Sequence, residues 1–185
     1  IRMTFAQTYA AARAVAGALV AGHGVQKGDR IGIAARNSTN WIVAYMATLM
    51  AGGCVCLLNG WWSGEEMAAG IELTGCAIVL ADQQRADRIA QLDVDTKVIL
   101  FQHDCAWEQG LANVLANGGG AGTPLPALTG DDLATILYTS GSTGLSKGAW
   151  SDHRAVTQAV FSYVAQTLTI LTMLTEKGEA PTVQP

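Results

Sequence analysis

Charge is scarce in this sequence. Only 14% of its 185 residues are Asp, Glu, Lys or Arg, and the net charge is −4. Lys and Arg stand singly, with no basic stripe. Nucleic acids and anionic membrane surfaces require a clustered basic face, so broad contact with either is excluded. Cysteine is also sparse. Cys54, Cys56, Cys76 and Cys105 show no CxxC spacing, and no secretory segment precedes them. A disulfide scaffold is therefore excluded, and small buried thiols in a reduced, cytoplasmic protein are expected. His103 and Cys105 make half of a tetrahedral metal site with no second pair at ligand spacing, so no metal site is predicted. A start methionine is lacking at Ile1, and 176–185 is polar and turn-like. The sequence is read on this account as a piece of a longer protein.

Half of the sequence is apolar, which supports a sizeable core and excludes a disordered or fibrous chain. Long apolar spans are missing. The stretch 41–50 is too short to cross a bilayer. The stretch 155–174 carries no charge, yet Gln158, Ser162, Gln166 and four threonines interrupt it. Val156, Val160, Tyr163, Val164, Thr167 and Leu171 fall on one helical face there, which predicts a helix packed against a sheet. Its β-branched end argues against helix beyond Leu168.

Helical and extended patterns alternate along the chain. Thr4 and Gln7 form a capping-box pair ahead of Phe5, Ala12, Ala16 and Leu19 at helical spacing, and Gly22 and Gly24 end that helix. Residues 30–34 read as a buried strand. Asn40 is placed as the cap of a helix over 41–50 that is apolar nearly all round and so buried between layers. A strand over 54–58 follows. Ser63 and Glu66 form a second capping box, opening a helix that runs to Gly75. Then come a strand (77–80), a helix (82–92), a strand (97–101) and a helix (106–116). The strands are continuous apolar runs. The fold class is therefore α/β, a mostly parallel sheet with helices on both faces. Gly118 to Gly120, Gly122, Pro124 and Pro126 mark 117–130 as a flexible linker. The expected organisation is an α/β subdomain over 1–116, this linker, and a strand, loop and helix over 131–185.

After the linker, a strand over 133–138 runs into Thr139-Ser-Gly-Ser-Thr-Gly-Leu-Ser-Lys-Gly148 and on to a helix from about Asp152. Gly141 and Gly144 allow backbone N–H groups to turn toward an anion. Ser140, Ser142 and Thr143 add hydroxyl donors, and Lys147 adds a point charge for terminal phosphates. A Walker-type loop fails on spacing, because Ser146 precedes Lys147 and Gly148 follows it. The nucleophile elbow fails because two residues, not three, separate Gly141 from Gly144.

The run 136–148 resembles the phosphate-binding signature of the adenylate-forming superfamily, which comprises acyl-CoA synthetases, nonribosomal peptide adenylation domains and luciferases. Ser146 stands where proline is usual. The segments 24–30 and 50–59 resemble the family's opening and second core segment, and 59–66 is similar to acyl-CoA synthetases. The resemblance covers nearly the whole chain. It implies that ATP phosphates are bound by Thr139, Ser140, Gly141, Ser142, Thr143, Gly144 and Lys147, with His153 as a site-shaping residue. It also implies ATP with Mg2+, coenzyme A as co-substrate, and a hydrophobic carboxylic acid activated as its acyl-adenylate. The family's magnesium-binding, ribose-binding and lysine-bearing catalytic segments lie beyond these residues, so no catalytic residue is assigned and the chain alone is expected to be inactive. An amino-acid adenylation domain and a non-catalytic nucleotide-binding remnant remain the alternatives. Trp61 and Trp62 are read as packing at a layer edge, and His23 as exposed in a turn. A sheet cut off at 185 leaves apolar faces that tend to associate, so a homodimer is expected.

Overall fold

The computed structural model describes residues 2–139 and 147–179. Six strands form one sheet in the order β4-β3-β1-β2-β5-β6. They are β1 (Arg30–Ala34), β2 (Cys54–Leu57), β3 (Ile78–Ala81), β4 (Lys97–Leu100), β5 (Leu133–Thr139) and β6 (Lys147–Asp152). All neighbours run parallel except β5 and β6, which are antiparallel. Both faces of the sheet are apolar, as the continuous runs predict. Ile31, Ile33, Val55, Ile78 and Leu80 face one core, while Ala34, Cys54, Cys56, Val79 and Ala81 face the other. The period-two alternation of side chains produces this division.

The first core is covered by α1 (Phe5–His23) and α2 (Thr39–Met50), with the short turns α5 (Trp107–Gly110) and α6 (Ala112–Leu115). The second is covered by α3 (Gly64–Thr74) and α4 (Gln83–Ile89). The capping boxes Thr4/Gln7 and Ser63/Glu66 are both formed, and Gly24 and Gly75 close their helices in the left-handed conformation.

Several expectations are corrected. Ser38, not Asn40, caps α2. Asn40, two residues further in, is fully buried, and its amide donates to the carbonyls of Gln102 (2.8 Å) and Cys105 (3.0 Å). That amide sits against Gly110, and the helix expected over 106–116 breaks at Leu111 into two turns. Phe5 lies outside the core at 96% exposure, and Ile42 and Met46 leave one face of α2 open to solvent. His23 is the last residue of α1, and its Nε2 lies 2.8 Å from the carbonyl of Val114.

The last helix, α7 (His153–Glu176), contains no buried residue. Its apolar side chains, Phe161, Tyr163 and Leu168 among them, are exposed instead of packed on the sheet. It also continues well past Leu168. Thr169, Thr172 and Thr175 donate their hydroxyls to the carbonyls four residues back at 2.8–2.9 Å, which satisfies these hydroxyls within the helix. Among the described residues no helix is long and apolar enough to cross a membrane.

Residues 117–130 contain no helix or strand, yet they are strapped to α1. Arg13 donates to the carbonyl of Thr123 at 2.6 Å, and Leu125 packs on the first core. The strap returns the chain to the sheet, where β5 pairs with β2.

Candidate functional site

Five parallel strands end on one edge of the sheet, and ligands of such sheets bind outside those carboxyl ends. Thr139 is the last residue of β5 on that edge. It pairs with Lys147, the first residue of β6, and its Oγ1 donates to the Lys147 carbonyl at 3.4 Å. Both ends of the glycine-rich signature are thus fixed side by side on that carboxyl edge. Ser140, Gly141, Ser142, Thr143, Gly144 and Ser146 lie outside the described residues.

The helix expected from about Asp152 begins at His153 with Asp152 as its cap, but β6 lies between it and the loop and carries the chain back to the opposite edge. There Asp152 pairs with Leu133 and caps α7 through the Ala155 amide (2.7 Å). His153 is consequently six residues down an extended strand from Lys147, roughly 20 Å at ~3.3 Å per residue. Its backbone amide donates to the Asp132 carbonyl at 3.0 Å. The structure therefore brings Thr139 and Lys147 together and leaves His153 apart from them. The amino end of α7, being at the wrong edge, contributes no dipole to a phosphate at the loop.

Next to the loop base, a cleft of about 360 Å³ opens between the exits of β1 and β2, with Arg36, Asn59 and Trp61 on its walls. Its floor is set by a buried ion pair. Asp82 caps α4 by accepting from the Arg85 amide (3.1 Å), and its other oxygen accepts from the Arg36 amide (3.0 Å) and pairs with the Arg85 guanidinium (3.1 Å). Arg85 Nε then donates to the Gly60 carbonyl at 3.2 Å, and Arg88 donates to the carbonyls of Gly60 and Trp62. One acid and two arginines hold the exits of β1, β2 and β3 in register. The sequence reading passed over this set; its signal was a capping aspartate with arginines three and six residues on.

Trp62 and Tyr138 meet edge to face, with ring centroids 4.9 Å apart. Trp62 packs as expected, whereas Trp61 is 90% exposed at the cleft mouth. Burial raises the Tyr138 phenol above its ordinary value, so it stays protonated and able to donate. The Cys56 thiol is also raised, by hydrogen bonding with its neighbours Cys54 and Cys76 and by burial. These three cysteines are core groups, and Cys105 is half-buried. Among the described residues no group of three or more His, Cys, Asp or Glu side chains is placed to hold a metal.

Comparison with known proteins fits this geometry. The family profile described as AMP-binding enzyme matches residues 1–176. A 4-coumarate–CoA ligase-like protein of Oryza sativa subsp. japonica is 33% identical over 145 residues, which is 71% of this chain and 24% of that protein. FR901469 synthetase of a Dothideomycetidae species is 32% identical over 161 residues, 87% of this chain and 1% of that protein. The crystal structure of apo MatB from Rhodopseudomonas palustris superimposes with a TM-score of 0.70 at 34% identity, covering 83% of this chain and 30% of MatB. The chain thus spans about a third or less of the length of these relatives.

Proposed function

This chain belongs to the family of AMP-binding enzymes, and from that premise we propose that it is the phosphate-binding part of an ATP-dependent acyl-CoA synthetase. The observation that carries the reading is the Thr139–Lys147 rung. It closes a loop of glycines and hydroxyls on the carboxyl edge of a parallel sheet and sets a lysine at its foot. In the proposed reaction a carboxylate attacks the α-phosphorus of ATP. The α–β bridging bond breaks, pyrophosphate leaves and an acyl-adenylate remains. The thiol of coenzyme A then attacks the acyl carbon and displaces AMP.

Both reactants of the first step are anions. Ser140, Ser142, Thr143 and Lys147 act in this reading by stabilising the charge on the departing pyrophosphate, with no proton transferred to or from them. Magnesium arrives with the nucleotide, and none of the described residues is assigned to it. The CoA ligases among the relatives, and the likeness of 59–66 to acyl-CoA synthetases, support coenzyme A as acceptor. The nonribosomal peptide synthetases among the relatives support the second reading, an amino-acid adenylation domain loading a carrier protein.

Lys147→Ala in the whole protein tests the phosphate assignment. Loss of one charge-assisted contact, about 1.5–3 kcal/mol, is expected to slow acyl-adenylate formation by roughly one to two orders of magnitude. Release of AMP from preformed acyl-adenylate by coenzyme A should change far less, since pyrophosphate has already gone. Equal losses in both half-reactions would remove Lys147 from phosphate binding. Transfer to a phosphopantetheine-bearing carrier in place of free coenzyme A would establish the second reading.

A further inference from the structure

The ladder between β5 and β2 consists of Val55↔Thr135 and Cys56↔Ile136, yet β5 continues through Thr139. Its last three residues are paired with β6 on one side only. On the other side, the contact that anchors them is the side chain of Tyr138. Its hydroxyl lies 2.8 Å from the Gly70 carbonyl and 2.9 Å from Thr74 Oγ1. Thr74 Oγ1 is in turn 3.1 Å from Cys76 Sγ. Thr74 Oγ1 also lies 2.9 Å from the Gly70 carbonyl, so its single proton goes either to that carbonyl or to Tyr138; in both arrangements the Tyr138 hydroxyl donates into the end of α3, to Gly70 or to Thr74. The ring's edge-to-face contact with Trp62 adds the β2 exit as a third fixed point.

We infer that Tyr138 is a positioning residue for the phosphate-binding loop, tying the loop's N-terminal foot to the last turns of α3 through its hydroxyl. This rests on the phosphate reading of residues 139–147. A phenylalanine ring would fill the same space and keep the contact with Trp62. What the hydroxyl adds is direction. A ring alone tolerates sliding along α3, whereas a hydrogen bond to a helix carbonyl fixes the strand end relative to that helix. Gly70 is suited to this role because its carbonyl has a second lone pair beyond its intrahelical bond, which the Tyr138 and Thr74 hydroxyls share. It also lacks a Cβ, which would lie 2.6 Å from Trp62 Cζ3.

The test compares Tyr138→Phe, Thr74→Val and their combination with Thr48→Val. Thr48 is a control whose buried hydroxyl donates to Ala44 at 2.9 Å within α2, on the opposite face of the sheet. MgATP dissociation constants are measured by calorimetry on the whole protein, and hydrogen exchange by NMR at the Thr139 and Lys147 amides. Tyr138→Phe and Thr74→Val are each expected to weaken MgATP binding about three- to tenfold, the range of one hydrogen bond. The pair should be no weaker than the larger single effect, because the two residues share one network. Thr48→Val should lower the melting temperature and leave affinity unchanged. Wild-type affinity in a folded Tyr138→Phe, additive losses, or an equal loss in Thr48→Val would overturn the inference. Should the wild-type whole protein bind no MgATP, the phosphate reading falls, and exchange then decides the positioning role. Faster exchange at Thr139 and Lys147 in Tyr138→Phe upholds it, and unchanged exchange overturns it.

Discussion

Gly17 of α1 and Gly120 of the strap lie backbone on backbone: a Cβ added to Gly17 would sit 1.9 Å from the Gly120 carbonyl oxygen. Gly119 makes the reciprocal approach, with its Cβ position 2.3 Å from the Gly17 oxygen. In an ordinary helix interior Gly→Ala gains about 1 kcal/mol. Here the clash is with backbone, which cannot swing aside as a side chain can, and overpacking costs about 1–3 kcal/mol. We expect Gly17→Ala to destabilise the chain by roughly 1–2 kcal/mol on urea denaturation. A stabilised variant would show that the strap lifts from α1 without cost.

The Asp82–Arg85 pair is buried on both sides, at 4% and 5% side-chain exposure. Removing the acid leaves a guanidinium without its counter-charge, and breaking such a pair costs about 3–5 kcal/mol. Asp82→Ala also uncaps α4 and frees the Arg36 amide. We expect it to be among the most destabilising single changes in the chain, by about 3 kcal/mol or more in chemical denaturation. Arg88→Ala, which breaks contacts to Gly60 and Trp62 only, should cost much less. Equal effects would mean that Asp82 acts as a helix cap alone.

Much of the fold was readable because its signals are short-range. A capping box needs only residues three apart, so Thr4/Gln7 and Ser63/Glu66 placed two helices at their first residues. The apolar runs identified β1, and β3 to within one position. β6 was not readable. Lys147-Gly-Ala-Trp-Ser-Asp152 has little β propensity, it is an exposed edge strand, and only its pairing with β5 makes it extended. The family resemblance, not a local pattern, offered His153 for the site, and β6 carries it away from the loop. Asn40 failed differently. Ser38 and Asn40 both suit a cap, and the choice was made by Gln102 and Cys105, more than sixty residues away. Of the candidate site, the motif names Thr139 and Lys147, but their pairing across a hairpin rung has no local signal. The Tyr138–Thr74 link spans 64 residues and leaves no local pattern.

Alkaline pH should weaken the fold. Burial raises the phenols of Tyr45 and Tyr138 above the ordinary value of 10.0. A group whose folded value is raised contributes stability that is intact below the unfolded value and is lost as pH climbs through the folded one. The urea midpoint should hold up to about pH 10 and fall above it. A Tyr45→Phe/Tyr138→Phe variant should start lower and decline less steeply. Parallel declines would assign the alkaline loss to other groups.

Lys27, in the turn before β1, reaches Asp132, just ahead of β5, at 2.8 Å. Its hydrogen bond, followed by that of the Thr129 amide, holds the Asp132 carboxyl below the ordinary value of 3.8. The contribution is present above the unfolded value and disappears as pH falls through the folded one. Carboxyl NMR titration should show a depressed midpoint for Asp132 that rises in Lys27→Met. An unmoved midpoint would leave Thr129 as the sole cause.

Because Thr139 and Lys147 close a hairpin, the segment between them is held at its two ends by a single rung of an antiparallel ladder. In a loop that opens directly into a helix, each residue added or removed rotates everything downstream by about 100°, the turn angle of one helical residue. A hairpin connection imposes no such phase. Residues 140–146 are in this sense an exchangeable cassette. A loop of another chemistry could be grafted there with β5, β6 and α7 keeping their registers, and the phosphate contacts proposed for it could be altered without redesigning the sheet.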